Sequence, residues 1–248
     1  MIHRNVTIVA GISGSMGSTS ILLNKPKDIF IDENDHIYVA DSKNNRIQYF
    51  PNGSSIGQTL STNWNSIGEL WAVQLVNQSI YALDKSKSTV WNNGTVIAGN
   101  QSSGSSSNQL NQPQGFTIDT SISFGTIYIV NSQQHTIVQW MSGSLSGNIV
   151  AGTNGQQGNS AIHLNYPVSI KLDSYSNMFV VDNNNHRIQL FCQYPIINST
   201  GRTIIGTGNS GQTSTTLNYP TGLAIDSSLN IYVSDTSNHR IQKFQRIN

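Results

Sequence analysis

Residues 219–244 read YPTGLAIDSSLNIYVSDTSNHRIQKF, and the second half of that stretch returns four more times along the 248-residue chain. Two returns are close copies, DHIYVADSKNNRIQYF at 35–50 and SNMFVVDNNNHRIQLF at 176–191. Two are worn, QSIYALDKSKSTVW at 78–91 and GTIYIVNSQQHTIVQW at 125–140. A spacing of about 43 to 53 residues marks a propeller or similar array in which each unit is one small sheet.

Each unit reads as four strands. The first follows a proline (Pro26, Pro113, Pro167, Pro220), placed where a missing N–H costs no ladder bond. The second is the IYV segment, β-branched and aromatic. Asn, Ser and Asp fill the short connection to the third strand, RIQYF, TIVQW, RIQLF or RIQKF, as hairpin chemistry requires. The fourth is a short apolar run ending at Gly99, Gly152 or Gly206. A Gly/Ser-rich crossing then leads to the next unit and ends in Leu-Asn-x-Pro. The recurring Leu23, Leu110, Leu164 and Leu217 read as plugs between neighbouring sheets.

The ends complement one another. The chain opens on NVTIVAG, a fourth strand without its first three, and closes on IQKFQRIN, a third strand without its fourth. Pairing Val6–Ala10 beside Ile241–Phe244 closes the ring and removes free sheet edges. The expectation is all-β: a single propeller domain over 1–248 with five four-stranded antiparallel blades. Their bounds are 22–61, 62–99, 108–152, 162–206, and 215–248 plus 5–10. In the degraded second blade, ELWAVQL replaces the proline-led strand.

The phrase YPTGLAIDSSLNIYVSDTSNHRIQKF resembles the NHL repeat, named for an Asn-His-Leu-like segment that here reads Asn-His-Arg-Ile at Asn185 and Asn238. The motif is clear in units one, four and five, weaker in three and poor in two. The resemblance implies a β-propeller, most often six-bladed, whereas this chain supplies five units.

Composition narrows the function. Charged residues are only 10% of the chain and the formal net charge is +1, so no global electrostatic pull draws it to nucleic acid or anionic membrane. No run of about 18 apolar residues predicts a spanning helix. Cys192 is the single cysteine, which excludes an internal disulfide and a cysteine zinc site; ending an apolar strand, it reads as a buried or half-buried thiol. The N-terminus lacks the apolar core of a signal peptide, which leaves a cytoplasmic protein or a segment of a longer secreted product.

Candidate chemistry is repetitive. Asp32, Asp119, Asp173 and Asp226 end first strands; Asp41, Asp84, Asp182 and Asp235 end second strands, with Asn131 in the equivalent place in unit three. Groups that recur once per blade read as turn caps, accepting backbone N–H groups in the second-to-third hairpin. Arg46, Arg187 and Arg240 open third strands, and each is expected to reach a first-strand aspartate (Asp32, Asp173 or Asp226). A phosphate-facing basic ring is the less favoured role for these arginines. His135, His186 and His239 share one repeat position; three converging imidazoles make a zinc site, but unit one carries Asn45 there. No nucleophile elbow or phosphate loop is present.

No cofactor or metal is therefore assigned. The expected function is a non-catalytic interaction scaffold that binds a protein, or a glycan, through propeller loop faces. The family resemblance implies substrate-recognition modules of ubiquitin ligases as one such use. The alternative is a metal-dependent lyase or a lactone or ester hydrolase with its site in the central channel, as in propellers related to the NHL type. The drifted second unit carries Trp64, Trp71 and Trp91; Trp64, in the polar stretch STNWNS, is the expected partner contact, while Trp71 and Trp91 read as core.

Overall fold

Period-two alternation of β-branched and aromatic residues with polar ones makes the repeated segments strands, and each strand pairs antiparallel with its chain neighbours. The computed structural model describes residues 9–32, 34–60, 67–121, 125–192, 200–225 and 229–245. Blade 1 contains β1 (Asp28–Ile31), β2 (Ile37–Asp41), β3 (Arg46–Phe50) and β4 (Gln58–Thr59). Blade 2 contains β5 (Leu70–Val76), β6 (Ser79–Asp84), β7 (Thr89–Asn92) and β8 (Thr95–Ala98). Blade 3 contains β9 (Gly115–Asp119), β10 (Thr126–Asn131), β11 (Thr136–Met141) and β12 (Asn148–Gly152). Blade 4 contains β13 (Pro167–Leu172), β14 (Met178–Asp182), β15 (Arg187–Phe191) and β16 (Arg202–Gly206). Blade 5 shows β17 (Pro220–Ile225), β18 (Ile231–Asp235) and β19 (Arg240–Phe244) among the described residues. Its expected fourth strand falls on residues 5–10, of which 5–8 lie outside the described residues. Within each sheet the strands meander in chain order, so the fold is the all-β propeller that the repeats foretell.

The chain divides into two compact units, 1–97 and 98–248. In the first unit, blades 1 and 2 share a core of Ala40, Ile47, Leu70, Val73, Ala82 and Trp91, with Ile67 in the place that other blades give to the plug leucine. In the second unit, Leu164 is fully buried among Tyr128, Val130 and Ile137 of blade 3 and Ile170 and Val180 of blade 4. Leu217 repeats this between Val181, Ile188 and Ile205 of blade 4 and Leu223 and Val233 of blade 5. The crossing loop positions each plug through a parallel bridge, Gln157 to Leu164 and Ser210 to Leu217. Plugging apolar space between two sheets removes area from water on both of them, at roughly 25 cal/mol per Å².

The second-to-third connection differs from a simple tight hairpin. In four blades it is one turn of 3-10 helix (Ser42–Asn44, Ser132–Gln134, Asn183–Asn185, Thr236–Asn238) followed by a left-handed residue, Asn45 (φ 51°), His135 (58°), His186 (50°) or His239 (53°). Asn and His are among the non-glycine residues that tolerate this region best, which explains their alternation at the repeat position. The fourth-strand glycines have a matching reason. Gly152 (φ +80°) and Gly206 (φ +83°) lie against the backbone carbonyls of His135 and His186, where any Cβ would clash. Cys192 is exposed, not buried. It follows Phe191, the last residue of β15, and strand alternation turns it away from the core that holds the phenylalanine.

Candidate functional site

Three arginines organise three loops in the same way. In β2–β3, β14–β15 and β18–β19 the register sets Asp41 opposite Arg46, Asp182 opposite Arg187 and Asp235 opposite Arg240. Arg Nε donates to the partner carboxylate at 2.7, 2.8 and 2.8 Å. The remaining guanidinium N–H groups donate to carbonyls of the crossing loop. Arg187 reaches Asn159, Ser160 and His163 at 2.7, 3.1 and 3.1 Å. Arg46 holds Ser18, Thr19 and Leu22, and Arg240 holds Gln212, Thr213 and Thr216. An asparagine two residues before each arginine completes the set: Asn44, Asn185 and Asn238 donate both to the carboxylate and to the carbonyl of Gly17, Gly158 or Gly211.

This corrects two expectations. The arginines do not reach the first-strand aspartates. Asp32 and Asp173 sit at the opposite end of their sheets, while an antiparallel partner directly across the ladder is within reach of one guanidinium. Asp226 lies outside the described residues. The second-strand acids also do not cap their own hairpins. The 3-10 turns have no side-chain cap; the oxygens of Asp41, Asn131, Asp182 and Asp235 accept the backbone N–H of Asn24, Asn111, Asn165 and Asn218, the residue after each plug leucine. Asp84 is the exception, accepting both Gly68 N–H and the N–H of Lys87 in its own turn. The first-strand acids do cap hairpins, but those between first and second strands: Asp32 accepts from Asn34 and His36, Asp119 from Ser121, and Asp173 from Tyr175 and Asn177.

The histidines are tied to neighbouring blades. His135 Nδ1 accepts the backbone N–H of Tyr166 at 3.0 Å, and His186 Nδ1 that of Tyr219 at 3.1 Å. The His186 ring also stands edge-on to Tyr219. Both tyrosines precede a proline in a left-handed conformation, which the extended bias of pre-proline residues opposes, so an external acceptor helps to hold it. In blade 1 the Asn45 amide makes a comparable tie when its oxygen and nitrogen are assigned from their neighbours: its NH2 then donates to the carbonyls of Gly68 at 3.0 Å and Ser42 at 3.1 Å. Burial pushes both imidazoles below their ordinary value; for His186, Asp182 and Asp235 pull the other way. Among the described residues no group of three or more His, Cys, Asp or Glu is placed to hold a metal.

What departs from the repeat lies in blades 1 and 2, where five of the chain's seven lysines fall. At the end of the sheets that carries the 3-10 turn, Lys85 and Lys27 stand 3.6 and 4.5 Å from the centre of the Trp71 ring. Lys43 pairs with Glu69 at 3.1 Å. Burial lowers the Lys85 ammonium and Lys27 adds to that, while Glu69 opposes it. The Lys43 hydrogen bond holds Glu69 below the usual carboxylate range. Trp91 is buried in the core, but Trp71 is half-buried and forms the base of this basic patch. Trp64, the expected contact, lies outside the described residues.

At the other end of the same two blades is a cleft of about 710 Å³, walled by Phe30, Tyr38 and Tyr49 and rimmed by the amides of Asn34, Asn77 and Gln78. Tyr49 stands 5.1 Å from Tyr38 and 5.3 Å from the His36 ring. Sequence reading overlooked this cleft. The available signals were an aromatic Tyr49 where blades 4 and 5 have Leu190 and Lys243, and the two-residue turn Asn77–Gln78.

The NHL repeat model matches residues 23–50 and 217–244, two of the three stretches that carry the Leu-Asn-x-Pro lead, the first-strand acid and the Asp-Asn-Arg network. The chain is an NHL-repeat propeller. No curated protein sequence matches it. Among solved structures, this NHL chain is similar to an auxiliary nutrient binding protein from Bacteroides ovatus (17% identity, TM-score 0.65), covering 89% of this chain. It spans 59% of that protein's length. It is also similar to a chain of a nidogen/laminin complex (14%, TM-score 0.62, 90% of this chain and 81% of that one). A third likeness is to virginiamycin B lyase from Staphylococcus aureus (14%, TM-score 0.55, 90% and 70%). At these identities the likeness is one of fold.

Proposed function

We propose that this NHL propeller is a non-catalytic interaction scaffold that binds a protein or glycan partner through its loop faces. One observation carries the reading. The acids, asparagines and arginines of the repeat are engaged with one another and with backbone, whereas the blade-specific polar and aromatic groups gather at the loop ends of blades 1 and 2. A tryptophan flanked by lysines offers large contact area beside charges that steer an acidic partner. That one fold neighbour is a nutrient binding protein and another comes from a protein complex agrees with this reading.

The test is capture of partners by the purified chain, with cross-linking and mass spectrometry locating the contact. Lys27→Glu combined with Lys85→Glu, and separately Trp64→Ala, are expected to abolish or weaken capture that the wild type shows. Capture unchanged in both variants overturns the assignment of the face. Stoichiometric metal in the purified protein, with hydrolase or lyase turnover that a chelator removes, overturns the non-catalytic reading.

A further inference from the structure

We propose that the cleft at the hairpin end of blades 1 and 2 binds a neutral saccharide. The fold creates the opening locally. In blades 1, 4 and 5 the first and second strands are joined by five residues, as between Ile31 and Ile37 or Leu172 and Met178. In blade 2 the ladder runs on to Val76 and Ser79, and only Asn77 and Gln78 turn the chain, both with positive φ (48° and 63°). The short turn leaves the flank of blade 1 uncovered. Between blades 3 and 4 the corresponding space is filled: Tyr128 is fully buried and its hydroxyl accepts from Gln139 at 3.1 Å.

The lining selects the ligand class. Among the described residues no lysine or arginine lines the cleft, so none of them compensates an anion there. Among the described lining residues the one carboxylate is Asp32, and its oxygens are already occupied: Oδ1 by Asn34 N–H (3.0 Å) and His36 N–H (2.9 Å), Oδ2 by the His36 ring (3.1 Å) and the Tyr38 hydroxyl (3.4 Å). Burial works to raise this carboxyl, and the backbone bonds from His36 and Asn34 outweigh it and hold it below its ordinary value. A cation would therefore compete with four existing donors. The amides of Asn34, Gln58, Asn77 and Gln78 each offer both donors and acceptors and have no side-chain hydrogen bond among the described residues. Hydroxyl groups, which also donate and accept, match such amides. The C–H face of a pyranose ring matches the tilted Tyr38–Tyr49 pair, whose rings bury much area at little entropic cost. Few well-placed polar groups around an aromatic wall is the general make-up of a small-ligand site.

This inference deepens the binding reading above and rests on it, but it concerns the end of blades 1 and 2 opposite the lysine patch. A direct ligand assay can therefore fail while partner capture succeeds, and the reverse. The experiment is saturation-transfer NMR on the full chain with cellobiose, maltose, N,N′-diacetylchitobiose and mannobiose, and with tetramethylammonium as the cationic probe. At least one disaccharide is expected to bind with Kd near about 1 mM. Tyr49→Ala and Asn34→Ala should each weaken it about tenfold, and Tyr175→Ala, an exposed aromatic of the other unit, should leave it unchanged. Asn34 is on an exposed turn, so its variant decides the matter if Tyr49→Ala does not fold. The proposal is overturned if none of the four sugars binds at about 10 mM. It is equally overturned if tetramethylammonium alone binds, or if sugar binding survives both cleft substitutions.

Discussion

Replacing Arg187 by alanine should be among the most damaging single changes in the second unit, and the same change at Arg240 should cost far less. Both guanidiniums donate to one aspartate and three loop carbonyls, and Arg187 adds a long bond to Thr203 Oγ1 at 3.4 Å. They differ in burial: the Arg187 side chain is 6% exposed and that of Arg240 31%. Without Arg187 the fully buried carboxylate of Asp182 keeps only Asn185 and the Asn165 N–H, and the carbonyls of Asn159, Ser160 and His163 each lose a donor. Removing one partner of a buried pair costs about 3–5 kcal/mol, because the remaining charge stays desolvated. At Arg240 water can take over, and an exposed pair is worth about 0.2–1 kcal/mol, to which the loop bonds add about 1 kcal/mol. Urea unfolding of the full chain followed by far-UV circular dichroism measures both. The expected result is a lower midpoint with unchanged slope, and a cost for Arg187→Ala at least about twice that for Arg240→Ala. Equal costs, or a loss under about 1 kcal/mol at Arg187, would show that the desolvated carboxylate is not what makes the arginine matter.

The His135 and His186 ties predict an acid-labile structure. Burial holds both imidazoles below the unfolded value of about 6.5, so the unfolded chain takes up the proton more readily. Stability is then complete above about pH 6.5 and falls as pH drops below it; the double variant His135→Asn/His186→Asn, which copies Asn45, should flatten that slope in melting curves recorded from pH 7 to 5. Gly206→Ala forces a Cβ against the His186 carbonyl and should cost about 1–3 kcal/mol, whereas Gly208→Ala, with φ +86° but open space, should cost about 1 kcal/mol or less. Equal melting points for these two variants would remove the carbonyl clash as the reason for the repeated glycine. If the opening strand completes the last blade, removing residues 1–10 should cost a few kcal/mol out of a total stability of about 5–15 kcal/mol and so lower the melting temperature. An unchanged melting point would sink that closure.

Much of this molecule was legible because its information is local and repeated. Period-two alternation in IYV and RIQ, proline at strand starts and glycine at fourth-strand ends each specify backbone conformation within a few residues, and five repetitions average out the worn copies. The repeat also revealed which polar residues are structural, since a group present in every blade serves what every blade shares. Pairing was another matter. Asp41, Asp182 and Asp235 were recognisable as repeat positions, but that they bind Arg46, Arg187 and Arg240 directly across the ladder depends on register and strand polarity. The backbone they satisfy belongs to a loop 17 residues earlier, brought alongside only by folding. The plug leucines, by contrast, were readable, because burying a recurrent leucine needs no particular partner. The cleft of blades 1 and 2 was beyond the sequence for a further reason. It arises from a missing length of turn at Asn77–Gln78 beside an aromatic face contributed by another blade, and neither half has meaning until packing sets them side by side. Local propensity and repetition thus determined the strands, their order and the structural acids. Tertiary packing alone decided which charges meet, which rings stay open to solvent, and where a ligand finds room.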